Sequence, residues 1–131
     1  MSKLESPMIM DYWKTIGGTL VEEYYAVKRS PTTSPRRIDA IILPYRETRI
    51  ANWRDVPLDG EDVIVVQAKA HRLGMYLMGQ ALFSAEIVKQ CFKPKSVKSV
   101  ALCAKDDALL RPMLESFDGL EVVVIEPPAE S

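Results

Sequence analysis

The segment that decides the fold reads Val63-Ile-Val-Val-Gln-Ala-Lys69. Its Val and Ile residues indicate a buried β-strand, yet the strand ends with an amide and an ammonium group. Successive side chains of a strand point to opposite faces, so Gln67 and Lys69 share one face. Burying such groups is costly unless they are paired or functional. We therefore expect a functional site at the end of this strand.

A second apolar segment, Ile38-Asp-Ala-Ile-Ile-Leu43, precedes the first and carries an aspartate near its start. If the two strands pair, Asp39, Gln67 and Lys69 converge at one edge of a cleft. Carboxylate and amide oxygens are suitable ligands for a hard divalent cation. The two segments together indicate a metal site beside a lysine.

The composition is that of an ordinary globular protein. With 131 residues and 14.7 kDa, the chain is long enough for one domain, which we take to span residues 1–131. The net charge of −1 argues against a basic coat for nucleic acid, but permits a local basic cleft. The sequence shows neither a membrane span nor a signal-peptide pattern, so a cytoplasmic location is expected.

The rest of the chain alternates between helical and strand patterns. Gly17-Gly18 ends a first helix, and residues 1–7 are expected to lie outside it. The segment 19–27 is compatible with a continuing helix, but its β-branched and aromatic content favours a strand. A polar segment, 45–62, separates the strands of the two quoted motifs, and Asp106 is expected to cap a third helix. The predicted helices are 8–16, 74–92 and 106–117, and the predicted strands are 19–27, 38–43, 63–70, 97–104 and 120–125.

The connections between these elements predict a mixed sheet. Short links join the first three strands, which favours antiparallel pairing at the start. The later strand–helix–strand units imply right-handed crossovers between parallel strands. The class is therefore α/β, with helices flanking the sheet.

This order of elements and its motifs resemble the PD-(D/E)XK nuclease superfamily. The motifs read Arg37-Ile-Asp39 and Val66-Gln-Ala-Lys69, and the resemblance covers residues 19–104. It implies a restriction-endonuclease-like αβββαβ core, here with an extra C-terminal helix and strand. Gln67 stands where the family usually has an acidic residue, as in the Gln-x-Lys variant of Mrr-like nucleases. Gln80 and Ser84 resemble the Gln-x-x-x-Tyr motif of RecB-type nucleases, with serine in place of tyrosine.

The resemblance implies metal-dependent hydrolysis of phosphodiester bonds in DNA, with Mg²⁺ or Mn²⁺ as cofactor. Asp39 and Gln67 would bind the metal, and Lys69 would orient the attacking water or stabilise developing charge. A further acidic ligand would come from the first strand, as Glu22 or Glu23, of which we favour Glu23. The neutral Gln67 should weaken binding of a hard cation.

Further residues would support such a site. Gln80 would face the cleft and contact substrate or Lys69, while His71 and Arg37 would contact phosphates of DNA. Trp53, which lies in the polar segment near Arg54, would either anchor the loop or stack on a base. The resemblance also implies a homodimer or a larger complex.

Two alternatives remain open at this point. A catalytically inactive member of the same fold would serve as a nucleic-acid-binding or protein-assembly module, which Gln67 and the missing tyrosine both favour. In an unrelated α/β fold, Asp39 and Lys69 would form a structural ion pair between two strands.

Overall fold

A computed structural model describes residues 3–127 of the chain. This part folds into a six-stranded sheet with helices on both faces. Its elements are α1 (Glu5–Ile16), β1 (Thr19–Val27), β2 (Arg36–Leu43), β3 (Arg49–Ile50), a 3-10 helix (Trp53–Asp55), β4 (Asp62–Arg72), α2 (Met75–Cys91), β5 (Ser96–Lys105), α3 (Leu110–Glu115) and β6 (Leu120–Val124).

The sheet is mixed, as the connections predict. Its strand order is β3-β1-β2-β4-β5-β6. The pairs β1–β2 and β2–β4 are antiparallel, whereas β4–β5 and β5–β6 are parallel. β4, which carries the Gln67–Lys69 motif, is therefore a central strand at the change from antiparallel to parallel pairing. Apart from the short strand β3, the elements follow the expected αβββαβ order, with the additional C-terminal helix and strand.

Alternation along β4 divides the core between the two faces of the sheet. Ile64, Val66 and Ala68 pack with α1 on one face. Val63 and Val65 lie on the opposite face, in the cluster that also contains Val88 of α2. By the same alternation, Gln67 and Lys69 point to the α2 face. The packing of the apolar residues of β4 thus determines the face of the sheet on which Gln67 and Lys69 lie.

Gly18 sets the turn from α1 into β1. Its φ is +80°, and a Cβ built at this position would lie 2.2 Å from the carbonyl oxygen of Leu43. Any other residue would therefore displace the start of the sheet. The predicted stop of the first helix at the glycine pair is confirmed.

Three details of the sequence-based prediction are wrong. α1 begins at Glu5 instead of at residue 8. Pro7 is tolerated in its first turn, because an N–H at that position has no partner within the helix. The segment 45–62 contains the short strand β3, which pairs with β1, and the 3-10 helix. At the start of α3, the carboxylate that accepts the N–H groups of Leu109 and Leu110 belongs to Asp107 rather than to Asp106.

The segment 19–27 is a strand, as its composition favours. Within residues 3–127, no helix is long and apolar enough to cross a membrane.

Candidate active site

The candidate site lies where β2 and β4 separate. Their backbone ladder runs up to the pair Ala40–Val66 and then opens. Beyond this pair, the Asp39 carboxylate accepts the N–H of Ala68 at 2.9 Å. In return, the side-chain oxygen of Gln67 accepts the N–H of Asp39 at 3.4 Å. Two side chains thus take the place of the backbone bonds and bridge the strands beyond the ladder.

Gln67 connects this opening to α2. The side chain is buried, and its amide nitrogen donates to the hydroxyl of Ser84 at 2.8 Å. Ser84 occupies the position at which the resemblance leads one to expect tyrosine. Serine at this position is therefore used to hold the amide of Gln67, and both ends of that amide have a partner.

Lys69 is half-buried on the same face, and its ammonium nitrogen lies 5.6 Å from the ring centroid of Tyr76 at the start of α2. The ion pairs within residues 3–127 do not include one between Asp39 and Lys69. The interstrand ion pair considered above is therefore not formed. Lys69 is near enough to act on Asp39 through its charge, because it lowers the pKa of the Asp39 carboxyl.

A second carboxylate, Glu5, reaches the site from the first turn of α1. Glu5 is buried, and its carboxylate accepts the N–H of Ala70 at 3.0 Å. Beyond Val66, β4 has no backbone partner in β2, and carboxylates accept the N–H groups of Ala68 and Ala70 instead. Sequence reasoning missed Glu5 because residues 1–7 were expected to lie outside the helix. An acidic residue two positions before a proline, as at the start of a helix, was the available signal.

The two glutamates of β1 have different surroundings. Glu22 is half-buried, and its carboxylate accepts the hydroxyl of Ser6 at 3.4 Å, next to Glu5 in α1. Glu23 is exposed and has a φ of +51°, a conformation that is uncommon for residues other than glycine. The register pairs Glu22 with Ala40 and Tyr24 with Ile38, so the unusual backbone at Glu23 lies across from Asp39.

Two depressions flank the Asp39–Lys69 region. The first, here called the glutamine groove, has a volume of about 450 Å³ and is lined by Gln67, Gln80, Arg37 and Tyr76, among others. The second, here called the lysine cleft, has about 570 Å³ and is lined by Glu5, Lys69, His71 and Tyr76, among others.

The predicted supporting residues therefore border the site. Gln80 lines the groove with Gln67, and its side-chain oxygen is buried without a hydrogen-bond partner in the described part of the chain. His71 is exposed on the rim of the lysine cleft. Arg37 is exposed on the rim of the groove.

The site disfavours negative charge in the absence of a cation. Burial is the largest cause that raises the pKa of the Asp39 carboxyl above its ordinary value, and the Glu5 carboxylate raises it further. The Ala68 N–H and the charge of Lys69 lower this pKa without offsetting the burial. A divalent cation at this site would stabilise the charged forms of the Asp39 and Glu5 carboxylates.

The donor set fits a weakly held hard cation. Within residues 3–127, no three His, Cys, Asp or Glu side chains form a ready metal cluster. Mg²⁺ is nevertheless commonly held by one or two carboxylates, with waters and substrate phosphates completing its shell. Asp39 and Glu5 provide such a pair, and the Gln67 side-chain oxygen lies beside Asp39.

Two solved structures share the mixed α/β fold of this chain. The chain is similar to a repair endonuclease from Pyrococcus abyssi, with 16% identity and a TM-score of 0.60, over 98% of this chain and 48% of that chain. It is also similar to EndoMS in a complex with double-stranded DNA, with 14% identity and a TM-score of 0.58, over 99% of this chain and 48% of that chain.

These likenesses establish the fold. The chain spans about half the length of the two solved structures. No family model matches the chain, and no curated protein matches it.

Proposed function

We propose that this chain is a nuclease domain that hydrolyses phosphodiester bonds of DNA with Mg²⁺ or Mn²⁺. The observation that carries the proposal is the Asp39 carboxylate, held in the opening between β2 and β4 beside a lysine with which it forms no ion pair. The structural ion pair between these two residues, one alternative to a functional site, is absent from the part of the chain that the structure describes. The fold shared with two repair endonucleases, one of them solved with DNA, supports the same activity.

In the proposed reaction, a water oxygen forms a new bond to phosphorus and the bond to the leaving sugar oxygen breaks. The water loses a proton, and the leaving oxygen gains one. A bound divalent cation would activate the water and neutralise charge on the phosphate. Asp39 and Glu5 would hold the cation, with Gln67 contributing its side-chain oxygen and the carbonyl of Ala68 as a further donor.

Lys69 would act on the reacting atoms themselves. Its ammonium group would orient the attacking water or stabilise the charge that develops on the phosphate. Gln80 offers a buried acceptor in the groove, and His71 and Arg37 would contact phosphates from the rims. Glu23 as a metal ligand and the homodimer or larger complex stay predictions.

A second candidate function has one observation in its favour. Both ends of the Gln67 amide are engaged in hydrogen bonds, with the Asp39 N–H and with Ser84. A Gln67 used only to join β4 to α2 would suit a catalytically inactive DNA-binding or assembly module of the same fold.

Cleavage assays separate the two functions. Single-stranded, duplex and branched DNA would be incubated with wild type and Lys69→Ala in Mg²⁺ and in Mn²⁺. Lys105→Ala is the matched control, since Lys105 is exposed at the end of the neighbouring strand β5. Loss of cleavage in Lys69→Ala alone supports the nuclease. The absence of cleavage in all three folded proteins favours the binding module.

A further inference from the structure

A third depression lies beside the candidate site and carries a run of stacked rings and guanidinium groups. The rings of Tyr25 and Trp53 stack with centroids 5.6 Å apart at an angle of 29°. The guanidinium of Arg54 lies 4.8 Å from the Trp53 centroid, and that of Arg37 lies 5.3 Å from the Tyr25 centroid. We call this depression the aromatic cleft; its volume is about 700 Å³. Besides the two rings, its lining includes the charged residues Glu22, Glu23, Lys28, Arg29, Arg37 and Arg54.

The loop that carries Trp53 is held in place from both sides. Before it, the N–H of Ala51 donates to the carbonyl of Leu20. After it, the buried hydroxyl of Tyr24 donates to the carbonyl of Val56 at 2.9 Å. The Asn52 side chain accepts the N–H of Arg54 and so fixes the 3-10 turn. The aromatic stack is therefore preformed, which reduces the entropy cost of binding.

The charge around the stack favours an anionic ligand. The lining contains four basic residues and two acidic ones, in a chain whose net charge is −1. The arginines over the rings are exposed at the surface. Arginine stacks on aromatic faces and also matches the geometry of a phosphate, so the same side chains suit both parts of a nucleotide. Aromatic rings flanked by exposed cations match a polyanion that carries planar groups, such as a nucleic acid.

The aromatic cleft also borders the candidate active site. Arg37 lines both the aromatic cleft and the glutamine groove. Glu22 lines the cleft and accepts a hydrogen bond from Ser6, the neighbour of Glu5. A strand of DNA in the cleft would therefore pass Arg37 toward the groove that contains Gln67.

We propose that the aromatic cleft binds unpaired DNA, stacking a base on the Tyr25–Trp53 pair while Arg54 and Arg37 bind its phosphates. The inference rests on the proposed nuclease function and specifies its substrate as DNA with unpaired bases next to the cleaved bond. Bases of an intact duplex are stacked within the helix and have no free face to offer to these rings.

Binding without catalysis tests this proposal independently of cleavage. Wild type would be titrated, without divalent metal, into oligothymidylate that carries a single 2-aminopurine. Quenching of the 2-aminopurine reports stacking, and anisotropy of a labelled strand reports affinity. A duplex of equal length would compete in a parallel titration.

The variants are Trp53→Leu, Arg54→Ala and the control Lys105→Ala. We expect Trp53→Leu to bind the single strand about 5- to 100-fold more weakly and to lose the quenching. Arg54→Ala, a surface substitution that leaves the core intact, should also weaken binding, and Lys105→Ala should bind as wild type does. Melting temperatures would show that each variant is folded.

Three outcomes would overturn the proposal. They are the absence of single-strand binding by wild type, equal binding by folded Trp53→Leu and Arg54→Ala, and tighter binding of the duplex than of the single strand. Since the assay contains no metal, failure of the proposed catalysis leaves its result unaffected.

Discussion

Asp39 and Gln67 each accept a backbone N–H from the strand of the other. The Asp39 carboxylate binds the N–H of Ala68 in β4, and the Gln67 amide oxygen faces the N–H of Asp39 in β2. This exchange occurs where the backbone ladder ends, after the pair Ala40–Val66. It satisfies these two N–H groups where the backbone bonds between the strands have ended.

Removal of the hydroxyl that holds Gln67 should destabilise the fold. In Ser84→Ala, the amide nitrogen of Gln67 remains buried and loses its partner. We expect the free energy of unfolding, measured by urea denaturation, to fall by about 1–3 kcal/mol. In Ser116→Ala, which removes an exposed hydroxyl, the change should stay within about 0.5 kcal/mol. Equal stability of the two variants would show that the Gln67–Ser84 bond is not formed.

Restoring an acidic residue at position 67 should strengthen metal binding. In Gln67→Glu, the carboxylate can still accept the N–H of Asp39, and the Ser84 hydroxyl can donate instead of accept. We expect Mn²⁺ to bind about tenfold more tightly in calorimetry, because a hard cation gains a charged ligand. The melting temperature without metal should be lower than that of wild type. An unchanged affinity would exclude position 67 from the metal site.

Neutralising Glu5 should lower the pKa of Asp39. In Glu5→Gln, an oxygen still accepts the N–H of Ala70, but the charge that raises the Asp39 pKa is gone. The titration of the Asp39 carboxyl, followed by carbon-13 NMR, should therefore move to lower pH than in wild type. Mn²⁺ binding should also weaken. An unchanged Asp39 titration would contradict the proximity of the two carboxylates.

Tyr12 carries a buried hydroxyl without a partner in the described part of the chain. Burial, with a further effect of Glu121, raises the pKa of Tyr12 from 10.0 to about 12. Between these values the unfolded chain loses a proton that the folded chain keeps, so Tyr12 destabilises the fold as pH rises. We expect Tyr12→Phe to be as stable as wild type or more stable at pH 7, and its advantage to grow above pH 10. A large loss of stability at pH 7 would show that the hydroxyl is bound.

Much of the fold could be predicted from local patterns. The Val and Ile runs around Gln67 and Asp39 predict strands, and β2 and β4 do place these two side chains in contact. The short links and the helical crossovers predict which pairs are antiparallel and which are parallel. Each of these features depends on residues that are close in sequence, or on simple rules of chain connection.

The remaining features depend on contacts between distant segments. Glu5 reaches the site only because α1 packs against one face of the sheet, which brings the first turn of the helix to Ala70. The φ of +51° at Glu23 arises within the pairing of β1 with β2, and a glutamate at this position does not predict such a backbone conformation. The stacking of Trp53 on Tyr25 requires a loop to return to β1.

The Asp39→Asn variant tests the central claim, that Asp39 is held in the opening of the sheet for function rather than for stability. The asparagine oxygen can still accept the N–H of Ala68, while the buried charge is removed. Because the Asp39 pKa is raised in the folded state, ionised Asp39 destabilises the wild type, and this cost appears as pH rises from 3.8 through the raised pKa. The variant should thus be as stable as wild type, or more stable, at pH 7.

The decisive measurement is DNA cleavage by wild type and Asp39→Asn in Mg²⁺ and Mn²⁺, with melting temperatures recorded on the same preparations. We predict that the variant loses cleavage by about 100-fold or more, while its melting temperature stays equal or rises. Cleavage at the wild-type rate by the folded variant, or a marked drop in melting temperature at pH 7, would contradict the account.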